Sequence, residues 1–236
     1  MDLIPSTTVA LPAPLPDYAA ARDHMVDSQV RPNKVIDPRI IRAMRQLPRE
    51  RFVPPALAAR AHTDEDVPLP GGRALMEPMV IARLVQLLRV VAGEAVLVLA
   101  AGSGYGSALL DACGARVTAL EDDPALLALA RAVLPDVAPG VTLVEGPVAA
   151  GWPGGAPYDA ILIEGAVPAI PDALAALLRP GTGRIAAVRM QPGALAQGVL
   201  AEAVHVGAET RLRAQAFFDC ATPLLPQFVP APAFTF

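Results

Sequence analysis

Ala95-Val96-Leu97-Val98-Leu99-Ala100-Ala101-Gly102-Ser103-Gly104-Tyr105-Gly106 decides the fold. Five consecutive apolar residues suit a strand buried on both faces, as in a parallel sheet. Gly102 and Gly104 allow positive φ and a close approach of backbone to ligand. A helix is expected to follow over residues 107–113. A small polar ligand would then sit at the carboxyl end of the strand, beside the helix N-terminus. A second apolar strand, residues 115–120, leads into Glu121. An acid at that place is set to take the two hydroxyls of a ribose.

The glycines narrow the ligand. A nicotinamide dinucleotide favours Gly-x-Gly-x-x-Gly, but the third position is Ser107, with Gly106 one residue early. A Walker loop is excluded, since no Gly-Lys-Ser/Thr follows the turn. S-adenosylmethionine carries no pyrophosphate and needs only the tight Gly-x-Gly approach and the ribose acid. Taken alone, the same glycines also serve a structural turn that binds nothing.

Outward from the turn, helices and strands alternate. Upstream, residues 79–91 read as an amphipathic helix, with Val80, Ile81, Leu84, Leu87 and Leu88 inward. Asp37-Pro38 opens an earlier helix, with Asp37 as N-cap and Pro38 in its first turn. Another is expected from Asp17. Between them and the glycine strand lies Pro68-Leu69-Pro70-Gly71-Gly72-Arg73-Ala74-Leu75-Met76-Glu77-Pro78, too long and special for a bland connector. Downstream, residues 124–134 read as a helix capped by Asp122 or Asp123. Strands are expected at 141–145, 158–164 and 184–188, and a helix at 171–178. This spacing means parallel βαβ units. Residues 199–206 and 210–218 read as a terminal hairpin that completes the sheet with one antiparallel strand.

The expected organisation is a flexible Pro-rich tail (1–16), a helical cap with a substrate loop (17–78), a cofactor-binding α/β core (79–190) and C-terminal strands (191–236). Of the 236 residues, 53% are hydrophobic and 18% charged, so a large core is available. A net charge of −4 argues against nucleic acid as a partner. Cys113 and Cys220 suit a reducing compartment. The start lacks a signal-peptide pattern, and no apolar run reaches membrane-spanning length. A cytoplasmic protein is expected. His24, His62 and His205 are too scattered for a metal cluster. His62 and Arg73 suit either a surface position or contact with a substrate.

Several short stretches resemble protein-L-isoaspartate O-methyltransferases, in that family's order. They are Arg49-Glu50-Arg51-Phe52-Val53-Pro54, Leu69-Pro70-Gly71-Gly72, Glu77-Pro78-Met79-Val80-Ile81-Ala82 and Gly102-Ser103-Gly104-Tyr105. Gly151-Trp152-Pro153, Tyr158-Asp159-Ala160-Ile161-Leu162 and Leu178-Arg179-Pro180-Gly181 continue the match. The resemblance spans about residues 25–188. It implies a Rossmann-like class I methyltransferase sheet with S-adenosylmethionine as cofactor and a protein or peptide as substrate.

The resemblance also implies roles. Ala100, Gly102, Gly104 and Tyr105 would line the methionine end of the cofactor, and Glu121 its ribose. Gly146 falls near the adenine. Asp122 would meet the adenine edge or cap the next helix. Ala100 and Val98 replace the family's first glycine and preceding acid. In the substrate loop the family reads Gln-Thr-Ile-Ser-x-Pro, and its serine lies at the reacting carboxylate. Here Arg73 and Ala74 replace the glutamine and threonine, and Met76 replaces the serine. A thioether cannot donate a hydrogen bond; Arg73 is the group able to compensate by clamping a carboxylate. Glu164, ending the fourth strand, would contact substrate or orient the loop. Three readings stay open: methyl transfer to an isoaspartyl carboxylate, methyl transfer to another acceptor, and a non-catalytic cofactor-binding or partner module. The oligomeric state is not encoded in any of these residues.

Overall fold

The glycine strand, β3 (Ala95–Leu99), lies inside a seven-stranded sheet of order β5-β4-β3-β6-β7-β8-β9. The structure, a computed structural model, describes residues 17–191, 193–206 and 209–229. The expected tail falls outside them, as does the side chain of His205.

β4 (Arg116–Glu121), β5 (Thr142–Glu145), β6 (Ala160–Val167) and β7 (Arg184–Arg189) all run parallel to β3. β8 (Ala196–Val206) runs against both β7 and β9 (Glu209–Cys220), giving the expected single reversed strand. Val96 and Val98 enter one core while Leu97 and Leu99 enter the other. That alternation is why an unbroken apolar run belongs here: both faces of the strand are dry.

The two faces are covered differently. On one lie α1 (Tyr18–Met25), α2 (Pro38–Gln46), α3 (Pro78–Leu88), α4 (Tyr105–Ala112) and α5 (Pro124–Val137). Met25, Met44, Phe52 and Leu84 share a single core there with Val96, Val98 and Leu162. The other face is closed by short elements that bring Trp152, Leu174, Leu177, Leu225 and Phe228 onto the sheet.

Several boundaries differ from the periodic reading. α3 stops at Leu88 because Arg89 turns left-handed, with φ 47°. α4 begins two residues early, directly behind Gly104 at φ 97°. Asp123, not Asp122, caps α5, accepting from Ala125 N at 2.8 Å and Leu126 N at 3.1 Å. The expected helix at 171–178 is instead a 3-10 segment, Asp172–Leu177. Prolines at 171 and 180 leave it too short for a stable α-helix.

A small hairpin carries the substrate loop. β1 (Val67–Pro68) pairs with β2 (Ala74–Leu75), and Leu69 N donates to Arg73 O at 2.8 Å. Strands of two residues leave no periodic trace in a sequence. The hairpin tip lies against the start of α5: a Cβ on Gly71 would stand 2.5 Å from Asp123 Oδ2. Glycine is required there both for that approach and for φ 68°.

Leu162 is fully buried beside Val98. Leu162→Ala should cost about 2–5 kcal/mol by transfer and cavity terms. In a thermal melt this should lower Tm by roughly 5–15 °C for a domain of this size.

Candidate active site

Strand register assembles the site. Leu99 is level with Leu120 on β4 and with Ile163 on β6. Ala100, Glu121 and Glu164 therefore stand level: the first two at the carboxyl ends of β3 and β4, and Glu164 inside β6, which does not end there as expected but runs on past an irregularity between Leu162 and Ala166 to Val167. The chain steps from β3 to β4 and β5 on one side, then returns to β6 on the other. The edge beside β3 is thus the topological switch point, where open α/β sheets take their ligands.

The turn itself is tightly wound. Ala100, Gly102 and Gly104 all have positive φ, at 57°, 60° and 97°. Ala100 holds a left-handed conformation that costs an L-residue roughly 1–2 kcal/mol. A Cβ on Gly104 would press to 3.0 Å from Leu134 on α5, so glycine is needed there for space and for φ.

Glu121 is fully buried. Its carboxylate accepts from Gly102 N at 2.7 Å, Asp122 N at 2.9 Å and Asp123 N at 3.0 Å. Arg73 Nη1 adds contacts at 3.3 Å to both oxygens. Arg73 Nη2 also donates to the carbonyl of Ala100. The guanidinium, with its residue 5% exposed, thus bridges the end of β4 and the turn after β3. The surface reading of Arg73 is corrected: the hairpin tip turns its side chain inward onto a buried carboxylate.

Glu164 lies on the opposite flank of β3. Burial pushes its carboxyl up to about 8, against the opposing pull of Arg73 and Arg49 and with a smaller upward push from Glu121. Gly106 N approaches Glu164 Oε1 at 3.4 Å, while Oε2 has no hydrogen-bond partner among the described residues. A Cβ on Gly106 would sit 2.7 Å from that Oε2, so the glycine makes room for the carboxyl. Ser103 Oγ, within the turn, is also buried and without a partner among the described residues.

Arg49 organises the loop side and was legible only as part of a motif. It is fully buried; Nε donates to Ala61 O at 2.6 Å and Nη2 to the carbonyl of Met76. Its guanidinium stands 4.6 Å from the centre of the Tyr105 ring, which meets Phe52 edge-on at 5.3 Å. No sequence signal separates Arg49 from Arg51, two residues on in the same stretch, whose side chain is 42% exposed. Arg49 therefore anchors the backbone at Met76. The Met76 side chain is itself buried in the core beneath the cap.

The remaining candidates divide. Gly146 N donates to Glu121 O at 3.1 Å, which places it beside that buried acid. Asp122 does not cap a helix; its Oδ1 accepts from Gln227 Nε2 at 2.9 Å, tying the C-terminal segment to the site. His62 is not a surface residue. It is 8% exposed, with Nε2 3.3 Å from Glu50 Oε2, and burial pulls its pKa down. A groove of about 1130 Å³ is lined by Ile36, Val91 and Phe217 near the amino ends of the strands, away from these residues.

A mostly parallel sheet with a glycine turn, and a buried acid one strand over, give this chain the Rossmann-like fold of the class I methyltransferases. Residues 20–199 match the family model described as protein-L-isoaspartate (D-aspartate) O-methyltransferase. The chain belongs to that family. The protein-L-isoaspartate O-methyltransferase of Methylorubrum extorquens strain PA1 is 41% identical over 180 residues, covering 76% of this chain and 78% of that one. A solved structure titled protein-L-isoaspartate O-methyltransferase superposes with TM-score 0.69 at 18% identity, over 88% of this chain and 65% of its own length. A putative protein-L-isoaspartate O-methyltransferase from Plasmodium falciparum, solved in complex with S-adenosyl-L-homocysteine, gives TM-score 0.66 at 17% identity. It is matched over 87% of this chain and 98% of its own. These two likenesses bear on the fold.

Glu164 makes stability depend on pH. Unfolded, it ionises near 4.5; folded, it keeps its proton up to about pH 8. Between those values the folded state binds more protons, so stability falls as pH rises. Glu164→Gln should match wild type near pH 5 and melt several degrees above it at pH 8. Parallel melts across that range read the difference directly.

Proposed function

We propose that this chain methylates a carboxylate of a protein or peptide, using S-adenosylmethionine, with an isoaspartyl residue as the first acceptor to test. The observation that carries the reading is Glu121, a buried carboxylate level with the Ala100–Gly104 turn. The residues present suit the cofactor. Glu121 would hold the ribose hydroxyls, with Gly146 and Asp122 toward the adenine and the Ala100, Gly102, Gly104 and Tyr105 segment around the methionine end. The partnerless Ser103 Oγ and Glu164 Oε2 are polar atoms of the kind that a charged ligand end would satisfy. Bound there, S-adenosylmethionine supplies a methyl carbon on a sulfonium sulfur, open to displacement by a carboxylate oxygen.

This chain then has little proton chemistry to do. An acceptor carboxylate has a pKa of about 4 and is already ionised at neutral pH, so no general base is needed. The task is to align one oxygen with the methyl and exclude water. Arg73 is the candidate clamp for the acceptor. Glu164, protonated below about pH 8, is a candidate hydrogen-bond donor to an acceptor oxygen. Met76 marks the loop position nearest the acceptor. Its backbone is held by Arg49, so the loop keeps its path although the family's serine is gone.

Met76 also supports a second reading, a different methyl acceptor. Removing one oriented donor typically costs on the order of 2–4 kcal/mol of barrier. The cytoplasm is the compartment that suits the two free cysteines. No helix among the described residues is long and apolar enough to cross a membrane.

Glu121→Ala should weaken S-adenosylhomocysteine binding at least tenfold by titration calorimetry; an unchanged affinity would remove the ribose assignment. A methyl-transfer assay on an isoaspartyl peptide and its aspartyl twin tests the acceptor, with turnover expected only on the first. Cofactor binding without turnover on either would favour the second reading. Met76→Ser should raise kcat/KM on the isoaspartyl peptide about tenfold or more, while emptying core volume at roughly 2–4 kcal/mol of stability.

A further inference from the structure

We propose that Arg73 couples the two ligands: in the free protein it covers the ribose acid, and on cofactor binding it is handed over to the acceptor carboxylate. The idea rests on the reading above, that Glu121 serves the ribose.

The acceptor capacity of Glu121 is already spent. Oε1 takes Asp122 N, Asp123 N and Arg73 Nη1; Oε2 takes Gly102 N and Arg73 Nη1. The three backbone donors are fixed by the turn and by the start of α5, so they cannot leave without unwinding those elements. Arg73 is the one partner held by a flexible side chain. Its contacts are also the longest, at 3.3 Å, where the backbone donors lie at 2.7–3.0 Å. Two ribose hydroxyls that donate to Glu121 therefore take the place of Arg73.

The displaced guanidinium has a short way to go. Nη2 already bonds the Ala100 carbonyl at the methionine end of the turn. The charge of Arg73 is also felt at Glu164, across β3. Movement about side-chain torsions suffices, because Arg73 N and O remain tied to Pro70 O and Leu69 N in the hairpin. Once off Glu121, a buried guanidinium needs a new anion, since an unpaired buried charge is costly. An acceptor carboxylate beside the methyl supplies one, in the two-pronged geometry that arginine favours. The consequence is an order: cofactor first, acceptor second, with each tightening the other by the same factor.

Arg73→Gln and Arg73→Ala separate this from a merely structural arginine. Calorimetry with S-adenosylhomocysteine alone should show both variants binding at least fivefold tighter than wild type, because nothing has to be displaced. With wild type, saturating S-adenosylhomocysteine should raise the affinity for an isoaspartyl peptide at least fivefold; in both variants that factor should fall to about one. Affinity for S-adenosylhomocysteine that is equal or weaker in the variants overturns the proposal while leaving the cofactor reading intact. So does a wild-type peptide affinity that ignores the cofactor, a measurement that needs no variant. No binding of S-adenosylhomocysteine by wild type overturns both. Should the Gln and Ala variants fail to fold, Arg73→Lys keeps the charge without the fork and should show a reduced coupling factor; full coupling in it overturns the handover.

Discussion

A carboxylate cannot be taken out of water unless its charge is answered, and the way Glu121 is answered sets the geometry of this protein. Three backbone N–H groups and one guanidinium converge on it. They come from the turn after β3, the start of α5 and the hairpin tip. One buried anion thus fastens three segments that are far apart in sequence. Without it the turn would lose the acceptor for Gly102 N, and the Arg73 side chain would keep only the Ala100 carbonyl.

The same economy appears with a cation on the loop side. Arg49 holds the carbonyls of Ala61 and Met76 and lies against the Tyr105 ring. It ties the cap to the loop and the loop to the first residue of α4. The rigid sheet sets where Glu121 and Glu164 stand. Two buried arginines, Arg49 in the cap and Arg73 within the loop, set where the loop stands relative to them. At Met76 the Arg49 anchor acts on the backbone carbonyl alone. The methionine side chain goes into the core, and the backbone keeps its anchor.

Much of this was legible in the residues. The unbroken apolar run, the glycines behind it and the acid ending the next strand specified a parallel sheet with a glycine turn and an acid at its edge. The apolar run is buried on both faces, and the glycines stand at positive φ. What was not legible depended on direction. Arg73 and His62 each read as a surface residue or a substrate contact, because a sequence does not say which way the hairpin tip, or the turn ahead of it, faces. Asp122 and Asp123 are adjacent carboxylates of equal capping propensity, and one residue of phase decides that Asp123 caps α5 while Asp122 meets Gln227.

By itself, the sequence determined the order of elements, the turn and its acid, through local rules: strand periodicity, glycine φ and the charge that ends β4. Only the tertiary structure decided the pairings: Arg73 with Glu121, Arg49 with the Met76 carbonyl, and Glu164 buried beside Gly106 with its carboxyl pushed up by burial. These are contacts between segments tens of residues apart. Their strength comes from the exclusion of water, and burial is a property of the packed whole, not of any stretch of chain.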